Sequence, residues 1–429
     1  MMDVAQAYIL SPGSLLVGVV SVALLINGAW PRLYRRKQLE GFTHAPIATN
    51  NESLAVSKEP EVPPGWWKSR EVFELEHRAI FSKSWLYLAH SAQFAKPGAY
   101  QSFDIAGYPV FLIRGKDNQI RGFHNVCRHR AYTITRKETG ASTVLGCRYH
   151  GWSYDTYGRL VKAPQFEDIE GFEKSENGLF EVHTHTTVQG HVFVNLDANQ
   201  PGPFDESTRM ALDKFCLAAG LKDKSNWVSG HTLAGEFNWK FGSTSQNLKN
   251  VASQLEERIT QLRAPSVTER LIDVVAPKNN QANCSLFPIS FFYSFEKADL
   301  WISLTFLPSS ETSTALRFDI FTSSKARVEE SWVNSVQDQV QAMIKEVESN
   351  YRLASASDRP VENTLATHRI VKQLQEHQKL EKTAGGPISP AMRQPKGSSL
   401  FEQAEQLCKE IDCSGPGSDG NGASGGLDW

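Results

Sequence analysis

The feature that most constrains this chain is a pair of short motifs, each holding one cysteine and one histidine. Cys127-Arg128-His129 is followed, after seventeen intervening residues, by Cys147-Arg148-Tyr149-His150. The chain has only 6 cysteines and 12 histidines in 429 residues, so two mixed pairs at such short spacing are improbable by chance. Thiolates and neutral imidazoles are the ligands that soft and borderline metals prefer. The pattern therefore predicts a metal centre held between two loops.

The spacing leaves three interpretations open. A Rieske centre holds one iron of a [2Fe–2S] cluster with two thiolates and the other iron with two imidazoles. A zinc site can use the same ligand types, but zinc fingers usually pair Cys with Cys and His with His. Two unrelated buried cysteines beside surface histidines are the third interpretation. Each motif here is mixed, which favours the Rieske arrangement and makes four side chains its candidate ligands: Cys127, His129, Cys147 and His150.

Composition excludes several other classes of protein. The 45 Lys and Arg residues balance 47 Asp and Glu residues, which gives a net charge of −2. A nucleic-acid-binding protein needs an excess of positive charge to neutralise phosphates, so we expect no nucleic-acid partner. Six cysteines are too few for a disulfide-stapled scaffold. A mean hydropathy of −0.37 excludes a polytopic membrane protein, and 429 residues leave room for two or three domains.

An apolar N-terminal segment predicts a membrane anchor. Residues 4–30 carry no charge, and about 20 apolar residues span a bilayer as a helix. Only Asp3 precedes the segment, whereas a basic cluster follows it between Arg32 and Lys37. By the positive-inside rule, this asymmetry places the rest of the chain in the cytosol. We therefore expect a single-pass membrane protein of the endoplasmic reticulum whose body faces the cytosol; a buried core helix is the alternative.

Changes in composition and in hydrophobic periodicity divide the chain into five segments. A membrane anchor at residues 1–30 is followed by a Pro-containing tether at residues 31–65. Residues 66–200 open with a predicted helix, Glu71–Ser82, and continue in short strand-like runs bounded by Gly, Asp and Asn. Residues 201–383 mix strand-like runs with helices, which we predict at residues 209–219, 251–263 and 326–353. Residues 384–429 form a flexible tail that ends with six glycines in sixteen residues.

Residues 66–164 resemble the Rieske domain of the Rieske non-haem iron oxygenases, the ring-hydroxylating and choline-monooxygenase-like α subunits. The Asn-Val-Cys-x-His-Arg loop of that family is present at residues 125–130. Its Cys-Pro-x-His-Gly-Trp-x-Tyr loop is present at residues 147–154, with Gly158 at the following turn; only Arg148 departs from the family's Pro. The expected fold class is α+β: an N-terminal membrane helix, an antiparallel-β Rieske [2Fe–2S] domain and a helix-grip catalytic-like domain.

The resemblance also assigns roles to the four candidate ligands. It implies that Cys127 and Cys147 bind the buried iron, and that His129 and His150 bind the outer iron. Hydrogen bonds to the sulfur atoms tune such a centre. Ser153 and Tyr154, just past the second motif, are candidates for these bonds, although a turn serine and a half-buried strand tyrosine explain them equally well.

Residues 201–383 resemble the family's catalytic domain in three places. Asn238-Trp239-Lys240 resembles the start of its iron-bearing helix, residues 286–290 resemble its Leu-Phe-Pro-Asn strand, and residues 328–351 resemble its late helix. In the family, a mononuclear Fe(II) is held there by two histidines and one carboxylate. Asp338 on the late helix is the match to that carboxylate ligand.

The two histidines of this iron site are missing. No histidine occurs between His231 and His368. His231 precedes the Asn-Trp-Lys motif, and His368 and His377 lie on a polar, Gln-rich predicted helix where we expect a solvated surface role. The sequence therefore makes mononuclear Fe(II) doubtful and leaves the catalytic residues unknown.

These patterns favour functions of different classes. The first is a Rieske-type oxidoreductase, monooxygenase-like, acting on a lipophilic substrate of sterol, terpenoid or polyketide type in a natural-product pathway. The alternative is an electron-transfer protein or pseudo-oxygenase that keeps the cluster and lacks the catalytic iron; a structural zinc module is the third. No Gly-rich dinucleotide-binding motif occurs, so a separate reductase or ferredoxin must supply electrons. The expected partners are that donor, the membrane, a lipophilic small molecule and further copies of the chain in a homo-oligomer.

Overall fold

The computed structural model describes residues 62–221, 225–262, 282–295, 300–322, 328, 330–356 and 365–390. All of them belong to one compact unit, Pro60–Trp429. Antiparallel sheets and helices both occur in this part of the chain, which confirms the α+β prediction. The predicted anchor at residues 1–30 and nearly all of the tether and the tail lie outside the described residues.

The predicted helices occur close to their expected positions. The predicted helix at Glu71–Ser82 is an α-helix followed by one π-helical turn, His77–Phe81, and the Ser69 hydroxyl caps it by accepting a hydrogen bond from Val72 N at 3.2 Å. The α-helices are α1 Arg70–Glu76, α2 Glu206–Ala218, α3 Trp239–Gly242, α4 Ser245–Leu262, α5 Glu330–Ala354 and α6 Leu365–Ala384.

The first half of the described chain forms two antiparallel sheets. A seven-stranded sheet has the order β1-β10-β9-β4-β3-β2-β5, and a three-stranded sheet has the order β6-β7-β8. The strands are β1 Leu86–His90, β2 Ala99–Ile105, β3 Tyr108–Arg114, β4 Ile120–His124, β5 Thr139–Ala141, β6 Val144–Gly146, β7 Ser153–Asp155, β8 Leu160–Lys162, β9 Glu181–Thr186 and β10 His191–Asn195. The short turns predicted from Gly, Asp and Asn are present, as in the β2–β3 hairpin, where Gly107 has a φ of 91°.

The second half is built around a five-stranded antiparallel sheet with the order β11-β15-β14-β13-β12. Its strands are β11 Asn226–Gly235, β12 Ala282–Leu286, β13 Ser290–Ser294, β14 Leu300–Pro308 and β15 Thr314–Thr322. Alternate residues of β13 and β14 enter two different hydrophobic cores. Phe291 and Leu304 pack into a core shared with α4, α5 and α6, whereas Phe292 and Trp301 pack with residues of α2. Because both faces of the sheet are covered, β13 and β14 are buried at every position.

The predicted localisation is wrong. No helix within the described ranges is long and apolar enough to cross a bilayer, which contradicts the expectation of a single-pass protein of the endoplasmic reticulum with its body facing the cytosol.

Candidate metal centre

The two Cys/His loops have the same pattern of backbone hydrogen bonds, and we call this pattern the backbone frame. In the first loop, Cys127 N donates to Tyr132 O at 2.8 Å and Ala131 N donates to Cys127 O at 2.9 Å. In the second loop, Cys147 N donates to Trp152 O at 2.7 Å and Gly151 N donates to Cys147 O at 3.0 Å. The two loops therefore have the same backbone hydrogen bonds at the fourth and fifth residues after each cysteine, although the histidine is the second residue after Cys127 and the third after Cys147.

This frame requires a left-handed residue four positions after each cysteine. Gly151 has a φ of 75°, a conformation that costs glycine nothing. Ala131 has a φ of 56°, which is uncommon for a residue with a Cβ. Asn125 holds the base of the strained first loop, because its side chain accepts from Thr135 N at 2.9 Å and donates to Thr135 O at 2.9 Å.

The two loops bring the four predicted ligands together in two like pairs. The thiols of Cys127 and Cys147 lie within hydrogen-bonding distance of each other. The ring centroids of His129 and His150 are 4.5 Å apart. The hydrogen bond between the two thiols lowers the pKa of Cys147, and the same bond together with burial raises the pKa of Cys127. Cysteine binds metal as the thiolate.

This donor set fits a two-iron cluster better than a single zinc ion. Tetrahedral zinc needs all four side chains around one point. Among the described residues, no three His, Cys, Asp or Glu side chains surround a common ion position, and the four loop residues are no exception. Two thiols in one pair and two imidazoles in another match an arrangement with two protein ligands for each iron.

The two histidines differ in their exposure. The ring of His129 is 1% exposed, stacked on Trp152 at 5.1 Å with an interplanar angle of 11°. His150 is only half-buried, and its outer face contacts Tyr149 at 4.0 Å between ring centroids. Tyr149 in turn stacks on Tyr132 at 4.2 Å, and both tyrosines are exposed. The route from solvent to the centre therefore runs through His150 and this tyrosine pair.

Of the two residues considered for hydrogen bonds to sulfur, only Tyr154 is placed for one. Its hydroxyl lies 3.3 Å from Cys127 Sγ and accepts from Arg128 N at 3.1 Å, which leaves its own proton for the sulfur. Burial raises the pKa of Tyr154, so the phenol stays a donor. Ser153 instead donates to Gly151 O at 3.0 Å and closes the turn.

The comparisons with known proteins agree with this geometry. Residues 84–173 match the Rieske [2Fe-2S] domain family. The chain is 35% identical over 178 residues to the carnitine monooxygenase oxygenase subunit of Acinetobacter baumannii, and 33% identical over 171 residues to the chlorobenzene dioxygenase subunit alpha of a Cupriavidus species. The matched part of the chain is therefore similar to the Rieske domains of Rieske non-haem iron oxygenase α subunits. The first match covers 42% of this chain and 47% of the relative, and the second covers 40% and 37%, so the chain spans about half or less of these relatives' length.

The resemblance in fold extends further than the resemblance in sequence. A solved quaternary ammonium Rieske monooxygenase in complex with gamma-butyrobetaine superposes with a TM-score of 0.56 and 22% identity, covering 74% of this chain and 94% of that chain. Naphthalene 1,2-dioxygenase from Rhodococcus superposes with a TM-score of 0.55 and 16% identity, covering 75% and 95%. The second half of the chain therefore has the fold of a Rieske oxygenase catalytic domain.

In that half, the Asn-Trp-Lys motif has a structural role. Asn238 caps α3 by accepting from Lys240 N at 2.9 Å, and its amide donates to Glu311 O at 2.8 Å. Trp239 Nε1 donates to Glu76 Oε2 at 2.8 Å, and Lys240 Nζ donates to the other oxygen of the same carboxylate. Glu76 and Lys240 are both buried, so the motif fastens α3 to α1 through a buried ion pair.

The contact between α4 and α5 contains amides where the resemblance implies metal ligands. Gln339 Nε2 donates to Gln254 Oε1 at 3.1 Å, and Gln254 Nε2 donates to Glu346 Oε2 at 3.1 Å. Asp338, the predicted carboxylate ligand, is exposed on α5. No second and third ligand accompany it among the described residues. The residues of this region therefore do not fit a mononuclear iron.

The remaining histidines of this half do not assemble a site either. His231 lies on β11, where its Nε2 is 2.9 Å from Ser229 Oγ and its ring stacks on Phe318. His368 is half-buried on α6. The expectation of a solvated His377 is wrong, because its side chain is 4% exposed and lies 3.2 Å from Glu381 across one turn of α6.

The cluster-bearing half is tied to the five-stranded sheet by polar contacts that the sequence did not reveal. Glu138, just before β5, accepts from Arg317 Nη1 at 2.7 Å and from Thr232 Oγ1 at 3.0 Å. Arg317 is buried and pairs with Asp319 on the same strand at 2.9 Å. A further bond between the two halves runs from Ala106 N to Pro308 O at 3.0 Å. We call these contacts the β5–β15 clamp. Its only sequence signal is the alternating Arg-x-Asp pair within an otherwise apolar strand.

Proposed function

We propose that this chain is a Rieske-type oxidoreductase whose own chemistry is one-electron transfer at a [2Fe–2S] cluster held by Cys127, His129, Cys147 and His150. When bound, such a cluster accepts and releases one electron at a time. The observation that supports this proposal most directly is the pairing of thiol with thiol and imidazole with imidazole, in loops of identical backbone frame. The amide-lined α4–α5 contact and the exposed Asp338 are what argue against a ferrous site of the family's type among the described residues.

Each residue near the cluster then has a stated task. Cys127 and Cys147 supply thiolates, and Tyr154 holds its proton on the sulfur of Cys127. Trp152 excludes water from His129 by covering one face of its ring. His150 remains the imidazole nearest to solvent, so electrons arrive and leave on that side.

Quantitative metal analysis of the purified protein tests the proposal. We expect two irons and two acid-labile sulfides per chain, with the visible absorption and reduced-state EPR signal of a His-ligated cluster. Zinc without sulfide would contradict the cluster. A third, tightly bound ferrous ion per chain would contradict the electron-transfer assignment and favour a complete oxygenase.

A second candidate function is the monooxygenase-like one predicted from the sequence. It is favoured by the oxygenase fold, which covers 74% of the chain in the comparison with the quaternary ammonium monooxygenase. In this candidate the mononuclear iron would depend on ligands outside the described residues or on another protein. Substrate-dependent oxygen consumption with a reductase present distinguishes it from simple electron transfer. A homo-oligomer stays a prediction of the same candidate.

The electron donor is a separate acidic protein that docks on the cluster-tip surface, which we define as Tyr132, Arg136, Lys137, Arg148 and Tyr149. Residues 128–151 contain five Lys or Arg and one carboxylate, Glu138, in a chain whose net charge is −2. All five residues of the surface are exposed. Aromatic side chains and arginine are typical of binding hot spots, and a concentrated positive field steers an acidic partner.

Reduction by a plant-type acidic ferredoxin measures this docking. We expect the rate constant to fall as salt rises, and to fall at least about tenfold in Arg136→Glu/Lys137→Glu, because opposite charge at the contact controls association. Lys372→Glu, an exposed change on α6, is the matched control. Dithionite reduction of each variant reports an intact cluster separately. A charge-reversed variant that ferredoxin reduces at the wild-type rate would contradict the docking surface.

A further inference from the structure

A pocket of about 270 Å³ lies beside α3 in the second half of the chain. Its walls are mainly aromatic, with Trp67, Trp239, Phe291 and Phe306 among them. The first residues of α6 form part of its lining, as do the ends of β12 and β13. The described lining residues include two cations, Lys240 and Arg369, and no carboxylate. The pocket therefore combines aromatic and aliphatic walls with hydroxyl groups and one cation, Arg369, that has no carboxylate beside it in the lining.

Lys240 contributes a directed donor rather than net charge. One carboxylate oxygen of Glu76 accepts from its ammonium group, and the other accepts from Trp239 Nε1 at 2.8 Å. The ammonium also lies 4.4 Å from the centroid of the Trp66 ring. An ammonium has three N–H donors. Glu76 takes one and the face of Trp66 attracts a second, so Lys240 adds no uncompensated charge to the pocket.

Arg369 supplies the net positive charge. Its guanidinium lies 4.1 Å from the centroid of Phe287, on the wall of the pocket, and the residue is exposed. Stacking on a ring restricts an arginine to few orientations and keeps its donor edge available to a carboxylate.

We propose that this pocket binds a small monocarboxylate with an aromatic body, the carboxylate on Arg369 and the ring between the aromatic walls. A volume of about 270 Å³ is at the low end of ligand pockets, which commonly measure about 300–1,000 Å³, and this excludes a sterol-sized body. The positive lining also disfavours a quaternary ammonium group. The pocket combines residues of both halves of the chain, since Trp66 and Trp67 also line it, and the proposal requires neither the cluster nor a mononuclear iron.

Titration of the full-length protein with phenylacetate, followed by tryptophan fluorescence, tests the site directly. Three tryptophans line the pocket, so an occupant changes their emission. We expect saturable binding and a rise in melting temperature, with at least about tenfold weaker binding of benzyl alcohol and of benzyltrimethylammonium. These two probes keep the ring and remove or reverse the charge.

Three variants assign the binding to the pocket. Arg369→Gln should weaken phenylacetate binding at least about tenfold, and Ala366→Trp, on an exposed position of the lining, should abolish it by filling the pocket. Lys372→Gln changes an exposed charge on the same helix outside the lining and should bind as the wild type does. No saturable binding by the wild type, equal binding of benzyl alcohol, or unchanged binding by Arg369→Gln would overturn the proposal.

Discussion

The cluster loops and the α4–α5 contact are the two places where this fold could hold iron. They differ in the side chains that lie together at each place. In the loops, four ligand-type side chains lie in two pairs, and their backbones are fixed by matching hydrogen bonds. In the α4–α5 contact, Gln254 and Gln339 bond to each other, and the nearest candidate carboxylate, Asp338, is exposed. Among the described residues, the α4–α5 contact is thus held by amide hydrogen bonds where the cluster loops bring ligand-type side chains together.

Replacing a cluster ligand should have the largest effect of any substitution in the two regions. Cys147→Ser should abolish the visible absorption and the EPR signal completely, because the iron of the thiol pair loses one of its two protein ligands. Gln254→Ala, in the other region, should leave the iron and sulfide content unchanged. Iron loss in Gln254→Ala would show that the α4–α5 contact does hold metal.

Breaking the buried pair beneath the Asn-Trp-Lys motif should cost the most stability. Glu76→Gln leaves the Lys240 ammonium buried without its countercharge, and we expect a loss of about 3–5 kcal/mol in the free energy of unfolding. Glu74→Gln removes the exposed partner of Arg70, a pair with side chains 59% and 51% exposed, and should cost at most about 1 kcal/mol. Denaturant titration compares the two; equal losses would contradict a buried pair as the anchor of α3.

The pH dependence of stability offers a third comparison, away from the cluster. Burial lowers the pKa of His77 to about 4, below its ordinary value of 6.5, so the folded state disfavours the charged imidazole. Its contribution is fully present above about pH 6.5 and is lost as pH falls toward 4, by up to about 1.4 kcal/mol per pH unit. His77→Phe keeps the stack on Tyr108 and should flatten the wild-type slope in that window. Parallel stability curves for the two proteins would refute the assignment.

Removing the hydrogen bond at the cluster should have a smaller effect than removing a ligand. Tyr154→Phe deletes the hydrogen-bond donor to Cys127 Sγ. That hydrogen bond stabilises the reduced state of the centre, which is the more negative one. A hydrogen bond worth about 0.5–1.5 kcal/mol corresponds to a fall of about 20–60 mV in the midpoint potential. Ser153→Ala should shift the potential less, since its hydroxyl bonds to Gly151 O; potentiometric titration of both variants decides between them.

The smallest effect is expected at Asp338. Because its side chain is exposed on α5, Asp338→Ala should change stability by no more than about 0.5 kcal/mol. It should leave both iron content and the rate of cluster reduction at the wild-type value. A variant that loses iron would restore Asp338 as a ligand.

The sequence predicted most where one short motif determines both backbone and chemistry. The two Cys/His motifs carry the glycine at 151, the ligand types and the spacing, and residues 84–173 match the Rieske domain family. Helices such as α4 and α5 were predicted from periodicity, within a few residues at most ends. The burial of His377 was missed because its partner Arg78 is 299 residues away along the chain and meets it only through Glu381, so a polar helix appeared solvated. The pocket was missed for the same reason, since its walls come from α3, β13, β14 and α6 and share no local pattern.

The β5–β15 clamp has a consequence for how electrons travel through this molecule. Glu138 lies between the first and second cluster loops, and its bonds to Arg317 and Thr232 anchor that connection to the five-stranded sheet. In the proposed electron-transfer function, these bonds would favour a cluster that keeps one position relative to the sheet. The speed of each transfer would then depend on how closely a partner can approach His150.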